Sequence, residues 1–399
     1  MMTETIQTEN QLAIPFFKKI PIAIERGQGV HVWDESGRRY FDLTAGWGVT
    51  SIGHANPVLA DAIAAQARTL LQTPSSGLVC SPVRAALLRK MNGILPGKLS
   101  RVFFANSGAE ANDAVIKLAR KISGRLDVIS MTQSFHGRTI STASATGQAK
   151  HREKYNPLMP NYRFTPFNDL DAMKKAIDGN VAAVLLEPVQ GEGGVILPKE
   201  GYLESVSALC KEHGAYLIVD EVQTGFCRTG PMFAINRHDL SADFMTMAKG
   251  IGGGFPFAAF AVTEALAEKV EIGDHGGTYC GNPLGCAAAL AVIEYLIDHD
   301  IEKNVERVGR YVIERMERLR KKYPDMITDV RGIGLLAAVE FRDPEISRRI
   351  YETSLEEGLF INVTQGKIFR IFPALTITMA EADEGLSLFE TAIKKVLGS

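Results

Sequence analysis

Short apolar runs recur through the middle of the chain, at residues 126–131, 181–186, 216–219, 244–247 and 257–262, with helical or turn-rich stretches between them. Runs separated by that much chain are joined by crossovers and not by tight turns, which makes a largely parallel sheet of an α/β domain. Such a sheet takes its ligands at the carboxyl edge of its strands. Glu187 follows the second run, Asp220 the third and Lys249 the fourth. Unrelated side-chain chemistries therefore converge on one edge.

Lys249 stands in Ala248-Lys249-Gly250-Ile251-Gly252-Gly253-Gly254, where small neighbours let a flat ligand come close. A lysine whose pKa is lowered is a good Schiff-base nucleophile, although an isolated lysine is most often a solvated charge. Upstream, Phe103-Phe104-Ala105-Asn106-Ser107-Gly108-Ala109-Glu110 precedes Ala111, Ala114, Val115, Leu118, Ala119 and Ile122 at helical spacing. Ser107 and Glu110 match a capping box, so a helix starts there, and its open amides form a phosphate cradle. An ordinary cap without a ligand gives the same pattern.

The chain's 399 residues are too many for one ordinary core, so two domains are expected. Residues 29–43 alternate around Asp34-Glu35-Ser36-Gly37 and read as a hairpin; Gly46-Trp47-Gly48 and Gly53-His54 follow in loops before a helix at 58–71. Helices at 284–297 and 302–322, a short apolar run at 335–341, a helix at 344–357 and the run Ile368-Phe369-Arg370-Ile371-Phe372-Pro373 close the chain. The division read from this is a large domain at 45–285 and a smaller α+β domain made of 1–44 and 286–399.

A net charge of -2 without a basic block gives no electrostatic support for nucleic acid or an anionic membrane. Residues 1–19 are polar and read as neither signal nor transit peptide, and no apolar stretch reaches membrane-spanning length. Cys80, Cys210, Cys227, Cys280 and Cys286 lack metal-ligand spacing, so reduced thiols in a cytoplasm and no metal site are expected.

The glycine runs at 250–254 and 191–194 miss the last glycine of a dinucleotide fingerprint, and no P-loop, zinc-protease or serine-esterase motif occurs. A lysine, a strand-end aspartate and a phosphate cradle remain. That trio is what pyridoxal phosphate needs: an amine for its aldehyde, an acid for its ring nitrogen, and a helix start for its phosphate.

The chain closely resembles the class III, or ω-amino acid, aminotransferases of the fold type I pyridoxal-phosphate enzymes over nearly its whole length. The resemblance is carried, in order, by Asn106-Ser107-Gly108-Ala109-Glu110-Ala111-Asn112, Phe135-His136-Gly137-Arg138-Thr139, Glu187-Pro188-Val189-Gln190-Gly191-Glu192-Gly193, Asp220-Glu221-Val222-Gln223-Thr224-Gly225, Ala248-Lys249-Gly250 and Thr278-Tyr279-Cys280-Gly281-Asn282-Pro283-Leu284. It implies a large domain with a mostly parallel seven-stranded sheet. It implies Lys249 as the Schiff-base and proton-transfer residue, with Asp220 on the pyridinium nitrogen. Ser107, Gly108 and Ala109 would bind the phosphate, Phe135 and Val222 would cover the two ring faces, Gln223 would reach the ring oxygen, and His136 belongs to the same cofactor set. Thr278 would contact the phosphate bound by a neighbouring subunit, making the active unit a homodimer with shared sites.

The family likeness further implies Arg138 as a carboxylate-binding residue, a gate formed by Glu187 and Arg370, and Trp47 at the substrate entrance. Closed, the gate masks Arg370 from the amine donor; open, it admits the α-carboxylate of glutamate or 2-oxoglutarate. A plain structural bridge is the other reading of that pair. Stretches such as residues 193–203 and 370–376 look more like the putrescine aminotransferases, from which Arg138 departs, since those place Lys there. The expected activity is ping-pong transfer of a terminal amino group from acetylornithine, ornithine or a similar ω-amino acid to 2-oxoglutarate. A putrescine-type diamine or 4-aminobutyrate donor, and a pyridoxal-phosphate mutase, are the alternatives.

Overall fold

A computed structural model describes residues 3–398; residues 1, 2 and 399, at the ends of the expected small domain, lie outside it. Seven strands form the central sheet in the spatial order Leu99–Ala105, Ala258–Thr263, Phe244–Met247, Tyr216–Asp220, Val181–Leu186, Asp127–Met131 and Tyr162–Thr165. Ala258–Thr263 runs antiparallel to both neighbours, and every other pairing in the sheet is parallel. Val181–Leu186 and Phe244–Met247 are buried at every position, as parallel strands covered on both faces must be. Their side chains are apolar without alternation for that reason, Thr246 excepted.

The helix Gly108–Ser123 lies over this sheet with Ala111, Ala114, Val115, Leu118 and Ala119 buried, and it stops at Gly124 in the left-handed conformation (φ 68°). The same buried face carries one polar residue, Asn112. The helix read at 58–71 is shorter, Pro57–Ala67: Asn56 caps it, Pro57 opens it, and it ends in a simple turn at Arg68.

Two smaller sheets flank the central one. Ile327–Ile333, Leu336–Phe341, Ile368–Ile371 and Asn362–Thr364 form an antiparallel sheet in that order. The N-terminal strands Ile24–Gln28, His31–Asp34 and Arg39–Asp42 make a meander, which Leu359–Phe360 extends in parallel. Arg228 bridges the regions: buried beyond the strand Tyr216–Asp220, its Nη1 donates to the carbonyls of Leu335 (2.9 Å) and Pro373 (2.6 Å). Burial, with no carboxylate partner among the described residues, pulls its pKa down to about 9.

The strands Asp127–Met131, Val181–Leu186, Tyr216–Asp220 and Phe244–Met247 all point their carboxyl ends the same way. The segments that follow them meet over one cavity of about 550 Å³. Among the described residues no helix is long and apolar enough to cross a membrane.

Candidate active site

The cavity is lined by Ser107, Gly108 and Ala109 on one wall, by Phe135, His136 and Arg138 on another, and by Asp220, Val222, Gln223 and Lys249 at its base. The expected cofactor residues thus stand together, Thr278 excepted. That residue is exposed, does not line its own chain's cavity, and gives its carbonyl to Ser76 Oγ at 2.6 Å.

Asp220 ends its strand buried and fully engaged. His136 Nδ1 donates to its Oδ2 at 2.7 Å, Asn112 Nδ2 donates to the same oxygen at 2.8 Å, and the Val222 amide donates to Oδ1 at 3.0 Å. Asn112 is itself oriented by Thr246 Oγ1, which donates to its Oδ1 at 2.7 Å. A buried carboxylate held by donors from three elements keeps one orientation, whereas one without partners would be costly.

Lys249 is partly buried with a left-handed backbone (φ 47°), and its Nζ donates to Gln223 Oε1 at 2.7 Å. Burial lowers its pKa, with Asp220 opposing that effect and Arg370 adding to it. The result favours a neutral, nucleophilic amine. A positive φ at a lysine is a strained backbone placed at the chemistry.

At the helix start Ser107 Oγ accepts from the Glu110 amide at 3.2 Å, but the return half of the expected capping box is missing. Glu110 Oε2 accepts instead from the Asn106 amide at 2.9 Å, one residue earlier. The first-turn amides of Gly108 and Ala109 have no partner within the helix, so they remain available to an anion at the cavity wall. A side chain at Gly108 would bring its Cβ within 2.9 Å of Val222 Cγ1.

The ion pair expected between Glu187 and Arg370 is not made. Glu187 Oε1 accepts from the Phe135 amide (3.0 Å) and its Oε2 from the Gly191 amide (3.1 Å), and burial pushes its pKa up to about 7. Arg370 forms an ion pair with Glu192, Nη2 to Oε2 at 2.8 Å, and its hydrogen bond to this loop is from Nη1 to the Gly191 carbonyl at 3.1 Å. The loop after Val181–Leu186 turns Glu187 inward beneath its own backbone and carries Glu192, five residues on, to the guanidinium. Arg370 is buried and does not line the cavity, whereas Glu192 does. Its guanidinium carbon lies 4.9 Å from the Phe372 ring centre and 5.8 Å from that of Trp47.

Trp47 stands at the rim, about half exposed, with a left-handed φ of 69°. Arg138 is exposed at the cavity wall, 5.5 Å over the Phe135 ring, and among the described residues it has no ion pair. His54 does not reach the cavity; its Nε2 pairs with Asp42 Oδ2 at 2.8 Å and holds a loop to the N-terminal meander. Among the described residues no group of three or more His, Cys, Asp or Glu could hold a metal ion.

Sequence reasoning passed over Glu192, Asn112 and Phe17. Asn112 had a signal, being a polar residue on the buried stripe of an amphipathic helix. Glu192 lies within the motif at 187–193, where nothing local separates it from Glu187. Phe17 lies outside any regular element, so no periodicity marks it.

The model of the aminotransferase class-III family matches residues 16–393. An acetylornithine aminotransferase of Methanothermobacter thermautotrophicus is 43% identical over 385 residues, spanning 96% of this chain and 97% of that protein. One from Methanocaldococcus jannaschii is 38% identical over 402 residues, spanning 98% of each. Among solved structures, the ornithine aminotransferase of Toxoplasma gondii ME49 superposes with a TM-score of 0.93 at 30% identity, covering 99% of this chain and 95% of that one. The acetylornithine aminotransferase of Elizabethkingia anophelis superposes with a TM-score of 0.87 at 31% identity, covering 98% of each.

Proposed function

The chain belongs to the class-III aminotransferases, and from that premise we propose that it moves a terminal amino group from an ω-amino acid of the acetylornithine or ornithine type to 2-oxoglutarate. The donor and acceptor react in turn at one site, in a ping-pong cycle. The observation that carries this reading is the convergence of Lys249, Asp220 and the open helix start at Gly108 in one cavity that Arg138 also lines.

The residues fit pyridoxal 5'-phosphate as the resident cofactor. Among the described residues Gln223 Nε2 is buried without a hydrogen-bond partner in a cavity-lining residue, and a Cβ at Gly108 would press on Val222 in the same cavity wall. When bound, the cofactor supplies an aldehyde for amines and a ring that accepts an electron pair. Lys249 would hold the aldehyde carbon and carry the proton between the two reacting carbons. Asp220, fixed by His136, Asn112 and Val222, would hold the ring nitrogen in its protonated form. Gly108 and Ala109 would hold the phosphate, Phe135 and Val222 would flank the ring, and Gln223 would meet its oxygen.

Arg138, exposed and without an ion pair among the described residues, supports a donor with a carboxylate, since a guanidinium binds carboxylates in a bidentate fork. The acid of the gate is Glu192 and not Glu187: it masks Arg370 while the amine donor reacts, and an α-carboxylate replaces it when glutamate or 2-oxoglutarate binds. Trp47 and Phe17 would border the entrance.

We also propose a homodimer in which Thr278 serves the neighbouring cofactor. Phe17 lines the cavity although its side chain is largely exposed, and Phe16, Leu78, Ile272 and Tyr279 are exposed apolar residues that a second copy would cover. A cytoplasmic setting fits the five cysteines, which are all free thiols. The division into 45–285 and 1–44 with 286–399 is kept as part of this reading.

The test is a donor panel of N-acetylornithine, ornithine, 4-aminobutyrate and putrescine against 2-oxoglutarate and pyruvate. The expected result is highest kcat/KM for a carboxylated ω-amine with 2-oxoglutarate. Preference for putrescine would overturn the donor assignment, and isomerisation without an acceptor would overturn aminotransfer itself.

A further inference from the structure

The strand Asn362–Thr364 grips both members of the Glu192–Arg370 pair. Its side chains at 362 and 364 share a face, because strand side chains alternate. Asn362 lies directly opposite Arg370 in the antiparallel pairing, and its Oδ1 accepts from Arg370 Nε at 2.7 Å. Thr364 Oγ1 donates to the Glu192 carbonyl at 2.9 Å and stands 3.4 Å from Glu192 Oε1. The next residue, Gln365, donates from Nε2 to the same carbonyl at 3.2 Å and to Gln148 Oε1 at 3.1 Å. One hairpin thus fixes the guanidinium, the backbone of the acid that covers it, and one face of that acid's carboxylate.

We propose that Thr364 and Asn362 are positioning residues that set which carboxylate Arg370 holds, a reading that rests on the Glu192 gate proposed above. The buried guanidinium needs an anion in every state of the site. Two hydrogen bonds and one ion pair hold it: Nε donates to Asn362 Oδ1, Nη1 donates to the Gly191 carbonyl, and Nη2 lies against the Glu192 carboxylate. Only the last can leave the protein's own network. Asn362 therefore keeps the guanidinium in place while Glu192 is exchanged for a substrate carboxylate, so the exchange needs no rearrangement of Arg370. Thr364 acts on the other side of the balance. Its hydroxyl pins the Glu192 backbone and lies beside the carboxylate, favouring the side-chain position that reaches Arg370. When that carboxylate swings away, the hydroxyl still has the carbonyl, so Thr364 itself is left with an acceptor and only the Arg370 guanidinium awaits the incoming carboxylate.

The probe is glutarate, an unreactive dicarboxylate, titrated calorimetrically into the pyridoxal-phosphate-loaded enzyme, alongside the two half-reactions with glutamate and with the preferred ω-amine. Thr364→Val removes the donor and keeps the branched shape. It is expected to tighten glutarate about 3- to 10-fold, the weight of one ordinary hydrogen bond, and to raise kcat/KM for glutamate relative to the ω-amine by a similar factor. Thr364→Ser restores the hydroxyl and should restore both values. Asn362→Ala should weaken glutarate about tenfold while the ω-amine half-reaction changes little. A merely structural role would lower both half-reactions together.

Glu192→Gln is the control for the underlying reading. If it shifts the ratio and Thr364→Val does not, the proposal is overturned while the gate survives. If neither shifts it, the gate reading fails and the proposal falls with it. A shift in Thr364→Val that Thr364→Ser shares would assign the effect to packing and overturn the hydroxyl's role.

Discussion

Arg370 Nη2 lies 2.8 Å from Glu192 Oε2, while Glu187 gives both its carboxylate oxygens to the backbone amides of Phe135 and Gly191. The two acids share one loop and divide its work: Glu192 neutralises a buried guanidinium, and Glu187 holds the loop to the segment that bears Phe135. Replacing Glu192 by Ala should therefore raise kcat/KM for glutamate relative to the ω-amine donor by about tenfold or more, because a buried Arg370 without its acid attracts any carboxylate that arrives. Glu187→Gln should leave that ratio near its wild-type value and lower Tm. Half-reaction kinetics on the two variants decide the assignment, and the reverse pattern would restore Glu187 to the gate.

Lys249→Ala should reduce turnover by at least about a thousandfold, since the variant lacks both the nucleophile and the proton carrier. The absorbance band of cofactor attached to lysine should disappear, while cofactor held by the helix start and Asp220 remains detectable by equilibrium dialysis. Turnover at the wild-type rate would remove Lys249 from the mechanism.

Asp220→Ala should cost stability as well as activity. His136 Nδ1 and Asn112 Nδ2 would lose their shared acceptor in a fully buried setting, at about 1–3 kcal/mol for each unsatisfied group. Urea unfolding should show the loss, and Asp220→Asn, which keeps an acceptor oxygen, should recover part of it without recovering kcat.

Stability should fall with rising pH through two buried acids, Glu187 and Glu221, of which Glu221 lies away from the cavity and can be tested without touching it. Glu221 is buried beneath Thr224 and the Ile235 amide, and burial raises its pKa from 4.5 to about 7. The folded state therefore keeps a proton that the unfolded chain has lost between about pH 4.5 and 7. The stabilisation is fully present below the unfolded value, is lost as pH rises through the folded one, and amounts to about 3 kcal/mol at most. In denaturant titrations at pH 5, 6, 7 and 8, Glu221→Gln should gain on wild type as pH rises and level off above 7. A constant difference would place the group's pKa near its ordinary value.

Gly309 sits within the helix Ile301–Lys322, where an added Cβ would come within 2.1 Å of the Gly334 carbonyl oxygen. Gly309→Ala should lower unfolding free energy by about 1–3 kcal/mol, since overpacking against rigid backbone exceeds the helix-propensity gain of alanine. Chemical denaturation measures it, and a more stable variant would contradict the close packing.

Much of this protein is legible residue by residue. The unbroken apolar runs ending in Glu187 and Asp220, and the run just before Lys249, already place these residues at one edge of a parallel sheet, because only strands buried on both faces lack alternation. The phosphate cradle is legible from Ser107 and the stripe that follows it, although the partner of Glu110 is not: whether its carboxylate returns to Ser107 or reaches Asn106 depends on a side-chain path of a few ångströms. Asn112 is readable only as a polar exception on an apolar face. That it meets Asp220, 108 positions later, depends on how the helix Gly108–Ser123 lies across the sheet.

The sequence by itself determined the alternation of strands and helices and the convergence of lysine, aspartate and helix start, because periodicity and capping are local and each strand end is set by its own residues. Tertiary structure decided which acid meets Arg370. Glu187 and Glu192 are the same residue type in one short loop, and no local rule separates them. The turn through Gly191, Gly193 and Gly194, closed by the pairing of Gln190 with Ile196, buries one and delivers the other across 178 positions. An ion pair of that kind is fixed by where two loops pack, and packing is a property of the whole fold.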